Sequence, residues 1–387
     1  MTLLDQLRVE MAERAAKALI RRRRTLETPC GPHAVVDGRQ MLAFCSNDYL
    51  GLAAHPALAA ALKDGVARWG GGAGASHLVS GHYAVHERLE ARLAEFTGCE
   101  RTLFFSTGYM VNMGVAAALV GRGDAIFADR LNHASLVDGA LLSRAEHHRY
   151  PHADTATLAR LLSASTARRK LIVTDSVFSM DGDIAPLADL LALAEAHDAW
   201  LLVDDAHGFG VLGPQGRGAL AAAGLAHWRL LMVGTLGKAA GLSGAFVAGQ
   251  GEVIEWLMQT MRTYLFTTGA PPALAHALLT AIDLIEHGDA LRTTLAAHQQ
   301  QLRETLTLRQ WQLMPSPTPI QPVKIGDNAA ALAAANALWD AGLWVPAIRP
   351  PTVPPGTARL RISLSAAHTA DDIARLTESL HRIEAQT

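Results

Sequence analysis

The sequence predicts an α/β protein in which a mainly parallel sheet forms a large domain and a second, smaller α/β domain follows at the C-terminal end. Three observations lead there. The chain of 387 residues exceeds the roughly 250–300 residues at which one hydrophobic core stops growing, so two domains, or one large and one small, are expected. Half of the residues are hydrophobic, enough for a large core. Between 170 and 208 the chain reads as strand, helix, strand: Lys170-Leu171-Ile172-Val173-Thr174, an apolar-spaced helix from Pro186 to His197, and Trp200-Leu201-Leu202-Val203. Apolar runs without alternation belong to strands buried on both faces, as in a parallel sheet.

The remaining elements follow in order. Residues 2–24 read as a helix with leucines and alanines on one face, ending in Arg21-Arg22-Arg23-Arg24. Four arginines there suit a solvated helix end, where cations complement the dipole. Residues 34–42 alternate around Asp37-Gly38, a hairpin signal, and Ser46 to Leu52 form a polar loop. Residues 70–81 are too glycine-rich for regular structure; a helix is expected over 84–96, then a strand, Thr102-Leu103-Phe104-Phe105. That strand feeds a helix from Met110 to Leu119 through Ser106-Thr107-Gly108-Tyr109. Free N–H groups at such a helix start suit a phosphate, although plain N-capping by Thr107 explains the same residues. The strand Ala125-Ile126-Phe127-Ala128 leads to His133, and a last strand of the large domain, Leu230-Leu231-Met232-Val233, leads through Gly234, Thr235 and Gly237 to Lys238. A helix over 327–341 with strands near Trp344 and Leu360 makes the small domain. The divisions expected are 1–44, 45–285 and 286–387.

Composition narrows the function. A net charge of −2 and a pI near 6.8 give no electrostatic case for nucleic acid or anionic membrane, which leaves small-molecule chemistry. Cys30, Cys45 and Cys99 are odd in number and far apart, which fits a reducing compartment and neither a disulfide framework nor a metal knuckle. No apolar run approaches the roughly 20 residues of a membrane span, so a cytoplasmic protein is expected.

The polar loops after the strands, at Ser106 to Gly108, His133, Ser176 to Asp183, Asp204 to His207 and Thr235 to Lys238, are expected to converge, because ligands of such sheets sit at the carboxyl ends of the strands. Lys238 is the only cation between Arg229 and Arg262. Set among small residues it is poorly solvated, and such an amine becomes a nucleophile towards carbonyls; an ordinary surface lysine in a glycine-rich turn is the plainer alternative. Asp204 stands at a strand end 34 residues before Lys238 (238 minus 204), with a strand between them, so the two can hold opposite sides of one planar heterocycle. An aspartate facing a pyridinium nitrogen keeps it protonated and makes the ring an electron sink. With a helix start for the phosphate, this is the logic of a pyridoxal-phosphate site of the aminotransferase type. Metal binding by Asp204, Asp205 and His207 is the rival, and nothing else in the sequence clusters at ligand spacing.

Four motifs carry a resemblance: Ser46-Asn47-Asp48-Tyr49-Leu50-Gly51-Leu52, Asp129-Arg130-Leu131-Asn132-His133-Ala134-Ser135, Val177-Phe178-Ser179-Met180-Asp181-Gly182-Asp183 and Val203-Asp204-Asp205-Ala206-His207-Gly208. In order and spacing they resemble the α-oxoamine synthases, from residue 46 to beyond 360. The resemblance implies the aminotransferase-type fold (fold type I), pyridoxal 5'-phosphate and a homodimer, in which Thr267 or Thr268 reaches the partner's phosphate. It implies that Lys238 carries the cofactor as a Schiff base and later moves the α-proton. Asp204 would pair with the pyridinium nitrogen, His207 with the phenolic oxygen, and His133 would stack on the ring. Gly108 and Tyr109 would meet the phosphate through backbone amides, with Thr235 adding a hydroxyl and Ser179 also touching the cofactor. Arg361 would hold the amino acid carboxylate, and Thr352 and Arg21 would line the acyl channel. Ala239-Ala240 after the lysine is a mild departure from the family pattern.

Within that family the stretch from Ala347 to Arg361, with Arg349-Pro350-Pro351-Thr352, most resembles the branch of biotin biosynthesis that joins L-alanine to a pimeloyl thioester, carried by CoA or an acyl carrier protein. The implied reaction is a decarboxylative Claisen condensation releasing carbon dioxide and an amino-ketone. A sister enzyme using glycine and a short acyl-CoA would keep every cofactor residue and differ only in its pocket. A non-catalytic homologue would be expected to lose Lys238.

Overall fold

The computed structural model describes residues 1–386. The chain divides into two compact units. The sheet unit comprises Leu52–Phe178 and Ile184–Arg292; the terminal unit comprises Met1–Gly51, Ser179–Asp183 and the chain from Thr293 onward. The divisions therefore fall after Gly51 and Arg292, where the sequence reading drew them after 44 and 285.

Seven strands build the sheet unit: β1 (Arg101–Phe105), β2 (Ala125–Asp129), β3 (Glu146–Tyr150), β4 (Lys170–Asp175), β5 (Ala199–Asp204), β6 (Leu230–Thr235) and β7 (Ala245–Gly249). Their order is β1-β7-β6-β5-β4-β2-β3. Only β7 runs against the others, pairing antiparallel with both β1 and β6; every other pairing is parallel. The mainly parallel sheet expected from the apolar runs is present. Ile126, Phe127, Ile172, Leu201 and Val203 are fully buried, and each such side chain stabilises by about 1.5–3 kcal/mol. Helices α1 (Gly108–Leu119) and α2 (Ala134–Ser143) cover part of the sheet. Their Val111, Val115, Leu136 and Ala140 join Val173, Leu202, Leu231, Val233 and Val247 in one buried cluster.

Because six strands share a direction, their carboxyl ends share an edge, and the polar residues that end them are held side by side. Asp175 and Asp204 are register partners on β4 and β5. Both helices begin at that edge for local reasons: the Thr107 hydroxyl caps α1 by accepting from Met110 N at 3.4 Å, and His133 Nδ1 caps α2 by accepting from Ser135 N at 3.3 Å.

Residues 70–81 contain a π-helical turn, His77–Gly81, where the sequence reading expected no regular structure. Gly81 is required there, since a Cβ would strike the carbonyl of Ala75.

In the terminal unit the strands His33–Val36 and Arg39–Ala43 pair antiparallel around Asp37 and Gly38, whose φ values of 49° and 73° are those of a type I′ turn. A four-stranded antiparallel sheet runs in the order Gln312–Leu313, Ile320–Gly326, Ala358–Ser363, Ala347–Ile348. The helices Asn328–Asp340 and Ala370–Glu384 belong to the same unit. The helix expected over residues 2–24 is shorter, Leu3–Ala16. It stops because Ala18 turns left-handed, at φ 53°, with Leu19 N closing on Arg14 O. None of its residues is buried, so no face of it packs, and Arg21 to Arg24 do not stand at a helix end. Among the described residues no helix is long and apolar enough to cross a membrane.

Candidate active site

At the carboxyl edge of the sheet unit lies a cavity of about 250 Å³. It is lined from five directions: by Ser106 to Tyr109 and Asn112 after β1, by His133 and Ser135 after β2, by Asp175 ending β4, by Asp204, Ala206 and His207 at the end of β5, and by Thr235, Gly237 and Lys238 at the end of β6. Ser243 and Gly244, which lead into β7, complete it.

One end is a helix start. Gly108 packs so closely on β6 that a Cβ there would stand 2.7 Å from Thr235 Cγ2, so glycine brings the α1 amides against Thr235. The Tyr109 hydroxyl donates to Asp138, and its ring meets His133 edge-on with centroids 6.5 Å apart.

The opposite end is a carboxylate. Asp204 is buried; its Oδ1 accepts from Ala206 N at 2.9 Å and its Oδ2 from Asn112 Nδ2 at 2.6 Å. Across from it, half-buried Lys238 holds its Nζ 3.1 Å from His207 Nε2. The turn carrying the lysine is closed by Leu236 N to Gly244 O at 2.8 Å and by Gly241 N to Lys238 O at 2.9 Å. Gly241 sits at φ 71° against the backbone of Leu52 and Ala53, a place no side chain fits.

His133 donates its main-chain N–H to Asp175 Oδ2 at 2.7 Å. Although the residue keeps surface open to the cavity, desolvation by the surrounding protein lowers the imidazole's pKa; Lys238 adds to this, and Asp204 and Asp138 oppose it. Burial, and then the Asp204 charge beside it, raise the Asp175 carboxyl well above the usual carboxylate range. Asp205 points elsewhere: fully buried, it accepts from Ser176 Oγ at 2.5 Å and Ala219 N at 2.9 Å, and burial pushes its pKa up to about 7. Asp204 and Asp205 thus face different partners, and the metal trio weighed above is not gathered on one point.

The structure brings Gly108, Tyr109, His133, Asp204, His207, Thr235 and Lys238 into this one cavity. Of the loop 176–183 none lines it; Ser179 belongs to the terminal unit, where its carbonyl accepts from Arg361 Nε at 2.6 Å. Arg361 is buried in that unit, its Nη1 donating to Asn47 Oδ1 at 3.1 Å and Ser363 Oγ at 2.7 Å. Its Nη2 reaches the Tyr49 hydroxyl at a long 3.5 Å. Arg21 and Thr352 meet at 3.4 Å on the wall of a second cavity, of about 620 Å³, with Trp339, Trp344 and Arg349. Arg349 is tied to the carbonyls of Ala18 and Ile20.

Sequence reasoning missed Asn112, Ser135 and Asp175 as site residues. Asn112 had a signal: it lies four residues after Gly108, hence on the same helix face, and is the one polar side chain between Met110 and Leu119. Another grouping was missed as well: His77, His82 and His86 lie together. His86 Nδ1 accepts from Tyr83 N while its Nε2 faces Ala270 O, and His77 and His82 face each other at 3.0 Å.

An amine, a carboxylate and a helix start around one cavity, at the carboxyl edge of a mainly parallel sheet, agree with what the chain is similar to. The chain belongs to the aminotransferase class I and II family, whose model matches residues 39–380. It is 72% identical to the 8-amino-7-oxononanoate synthase of Aromatoleum aromaticum, across 99% of this chain and 100% of that one. Among solved structures, a serine palmitoyltransferase from S. paucimobilis with a bound PLP–myriocin aldimine superposes with a TM-score of 0.94 at 31% identity, covering 100% of this chain and 99% of that one. The 8-amino-7-oxononanoate synthase of Francisella tularensis superposes with a TM-score of 0.76 at 30% identity, covering 89% and 97%.

Proposed function

We propose that this chain is a pyridoxal-phosphate-dependent acyltransferase that joins L-alanine to a pimeloyl thioester, on CoA or an acyl carrier protein, giving 8-amino-7-oxononanoate, carbon dioxide and the free thiol. The observation that carries the reading is 72% identity over nearly the whole chain to a protein of that name, together with a cavity whose donors and acceptors suit the cofactor. The fit is chemical. The α1 amides at Gly108, which no Cβ obstructs, suit a phosphate. The Asp204 carboxylate suits a protonated ring nitrogen, and the Lys238 amine suits a carbonyl. When bound, pyridoxal phosphate supplies an electrophilic carbon and a ring that accepts the charge developed at an amino acid's α-carbon.

The residues then divide the work. Lys238 Nζ would hold the cofactor through its carbonyl carbon, and the same amine would take the α-proton of alanine. His207 Nε2, at hydrogen-bond distance from that amine, orients it and meets the cofactor's phenolic oxygen. Asp204, braced by Asn112 and Ala206 N, keeps a proton on the ring nitrogen. His133 would stack on the ring, Gly108, Tyr109 and Thr235 would hold the phosphate, and Ser179 would contribute to cofactor binding. Arg361 offers Nη2 to the alanine carboxylate, while Arg21 and Thr352 line the acyl chain's path. The working form is a homodimer, and the reaction serves biotin biosynthesis.

The test is product analysis by mass spectrometry, with alanine against glycine and pimeloyl against acetyl and succinyl thioesters. Alanine with the pimeloyl thioester should give the highest kcat/KM. Preferred turnover of glycine with a short acyl thioester would move the chain to a sister activity.

A further inference from the structure

Four hydrogen bonds link Asp204 to His133, and their directions are fixed by chemistry. An ionised carboxylate only accepts, so the Asn112 amide meets Asp204 Oδ2, at 2.6 Å, with its nitrogen. Turned over, it would set two acceptor oxygens against each other. The second hydrogen of that nitrogen is donated to Ser135 Oγ at 2.9 Å. This orientation is kept although it leaves Asn112 Oδ1 buried without a partner among the described residues. Ser135 N donates to His133 Nδ1 at 3.3 Å, so that nitrogen acts as an acceptor, and the Ser135 hydroxyl, 2.7 Å away, donates its hydrogen to it as well. A ring nitrogen that bears a hydrogen can accept neither.

We propose that Asn112 and Ser135 are positioning residues that relay the charge of Asp204 to His133, holding its ring neutral with the proton on Nε2 and the Nδ1 lone pair occupied. The charged and titratable groups around the ring are Asp204, Asp138, Lys238, Asp175, which takes its main-chain N–H, and Tyr109, whose hydroxyl is spent on Asp138. A ring kept neutral adds no positive charge beside Lys238 and offers an N–H donor to a ligand. That consequence rests on the cavity's reading as a pyridoxal-phosphate site; the tautomer does not.

The test is ¹⁵N NMR of the histidine-labelled full-length protein at pH 7.5, with and without pyridoxal phosphate, His133 being assigned by the signal lost in His133→Gln. The expected spectrum shows Nδ1 unprotonated and Nε2 protonated. A proton on Nδ1, or a doubly protonated ring, overturns the proposal without any further variant. In Asn112→Leu, and in Asn112→Ala should the first not fold, Asp204 loses the donor that offsets its charge and Ser135 Oγ loses the N–H it accepts, which makes both better partners for a protonated ring. The His133 pKa should then rise by about one unit, a tenfold gain in proton affinity. An unchanged pKa and tautomer would remove Asn112 from the relay. Because these readouts need no turnover, a tautomer as expected in a protein that fails the product analysis would sink the proposed function and leave the relay standing.

Discussion

Replacing Asp205 by alanine should destabilise the sheet unit by about 2–6 kcal/mol, while replacing it by asparagine should cost little. The figure follows from what the carboxyl holds. Its two oxygens accept from Ser176 Oγ and Ala219 N in a fully buried place, and each donor orphaned there costs about 1–3 kcal/mol. Gly208 and Gly218 confirm the tightness, since a Cβ at either would collide with those oxygens. Asparagine keeps an acceptor for Ala219 N and donates its amide hydrogen to Ser176 Oγ, so both bonds survive. The two variants also differ in pH dependence. With the folded pKa raised to about 7 from an ordinary 3.8, the protonated carboxyl is the one the fold prefers. Its contribution is fully present below pH 4 and is lost as pH rises through 7, by at most about 4 kcal/mol. Urea unfolding of the cofactor-free protein at pH 5 and pH 8 measures this. Asp205→Ala should be far less stable than wild type at pH 5, and Asp205→Asn should gain on wild type at pH 8. An alanine variant within about 1 kcal/mol of wild type at pH 5, or a wild-type-to-asparagine difference that ignores pH, would refute the account.

Lys238→Ala should lose the covalent cofactor link, so that borohydride reduction labels no residue; a label on another lysine would displace the assignment. Glu90, whose carboxyl accepts from Phe104 N at 2.8 Å and is pushed by burial up to about 8, favours its protonated form in the fold. Its contribution is present below about pH 4.5 and fades towards pH 8, so Glu90→Gln should flatten the decline in stability between pH 5.5 and 7.5 by up to about 1.4 kcal/mol per pH unit; parallel curves would contradict it. Arg21→Ala, losing one long contact to Thr352, should change stability by no more than about 0.5 kcal/mol and reduce the acyl thioester's kcat/KM. Arg361→Ala should weaken alanine binding by about 1.5–3 kcal/mol and also melt earlier, because its guanidinium ties Ser179, Asn47 and Ser363 together; equal losses for both substrates in both variants would count against the division.

What was legible in the sequence was what local chemistry decides. Asp37-Gly38 announces its turn because only residues at ease with positive φ close a type I′ hairpin. The strand-end loops could be placed because uninterrupted apolar runs mean buried parallel strands, and these share an edge. The helix ending at Ala16 was overextended because nothing in Lys17-Ala18-Leu19 marks the left-handed turn. Asn112 escaped notice because it lies inside a helix, where a polar residue reads as an exception to the apolar pattern rather than as part of a site, and Asp175 because it falls between the strand read to Thr174 and the loop read from Ser176. Asp204 and Asp205 are adjacent and identical in type. Which one faces the cavity depends on where β5 ends and on the backbone that closes over Asp205, and neither is written in the dipeptide.

The reversed strand β7 also bears on how the protein is made. It lies between β1 and β6, with Gly249 opposite Arg101 and Thr235 opposite Ala245. When β1 leaves the ribosome, the strand that will bind it has yet to be translated. At about 5–20 residues per second the wait between Arg101 and Gly249 is about 7–30 s. For that time β1 has no hydrogen-bonding neighbour and Gly108 has no Thr235 to pack on. The nascent chain therefore carries an open strand edge through most of the synthesis of this unit, and a chaperone that shields apolar strands has a defined interval in which to act.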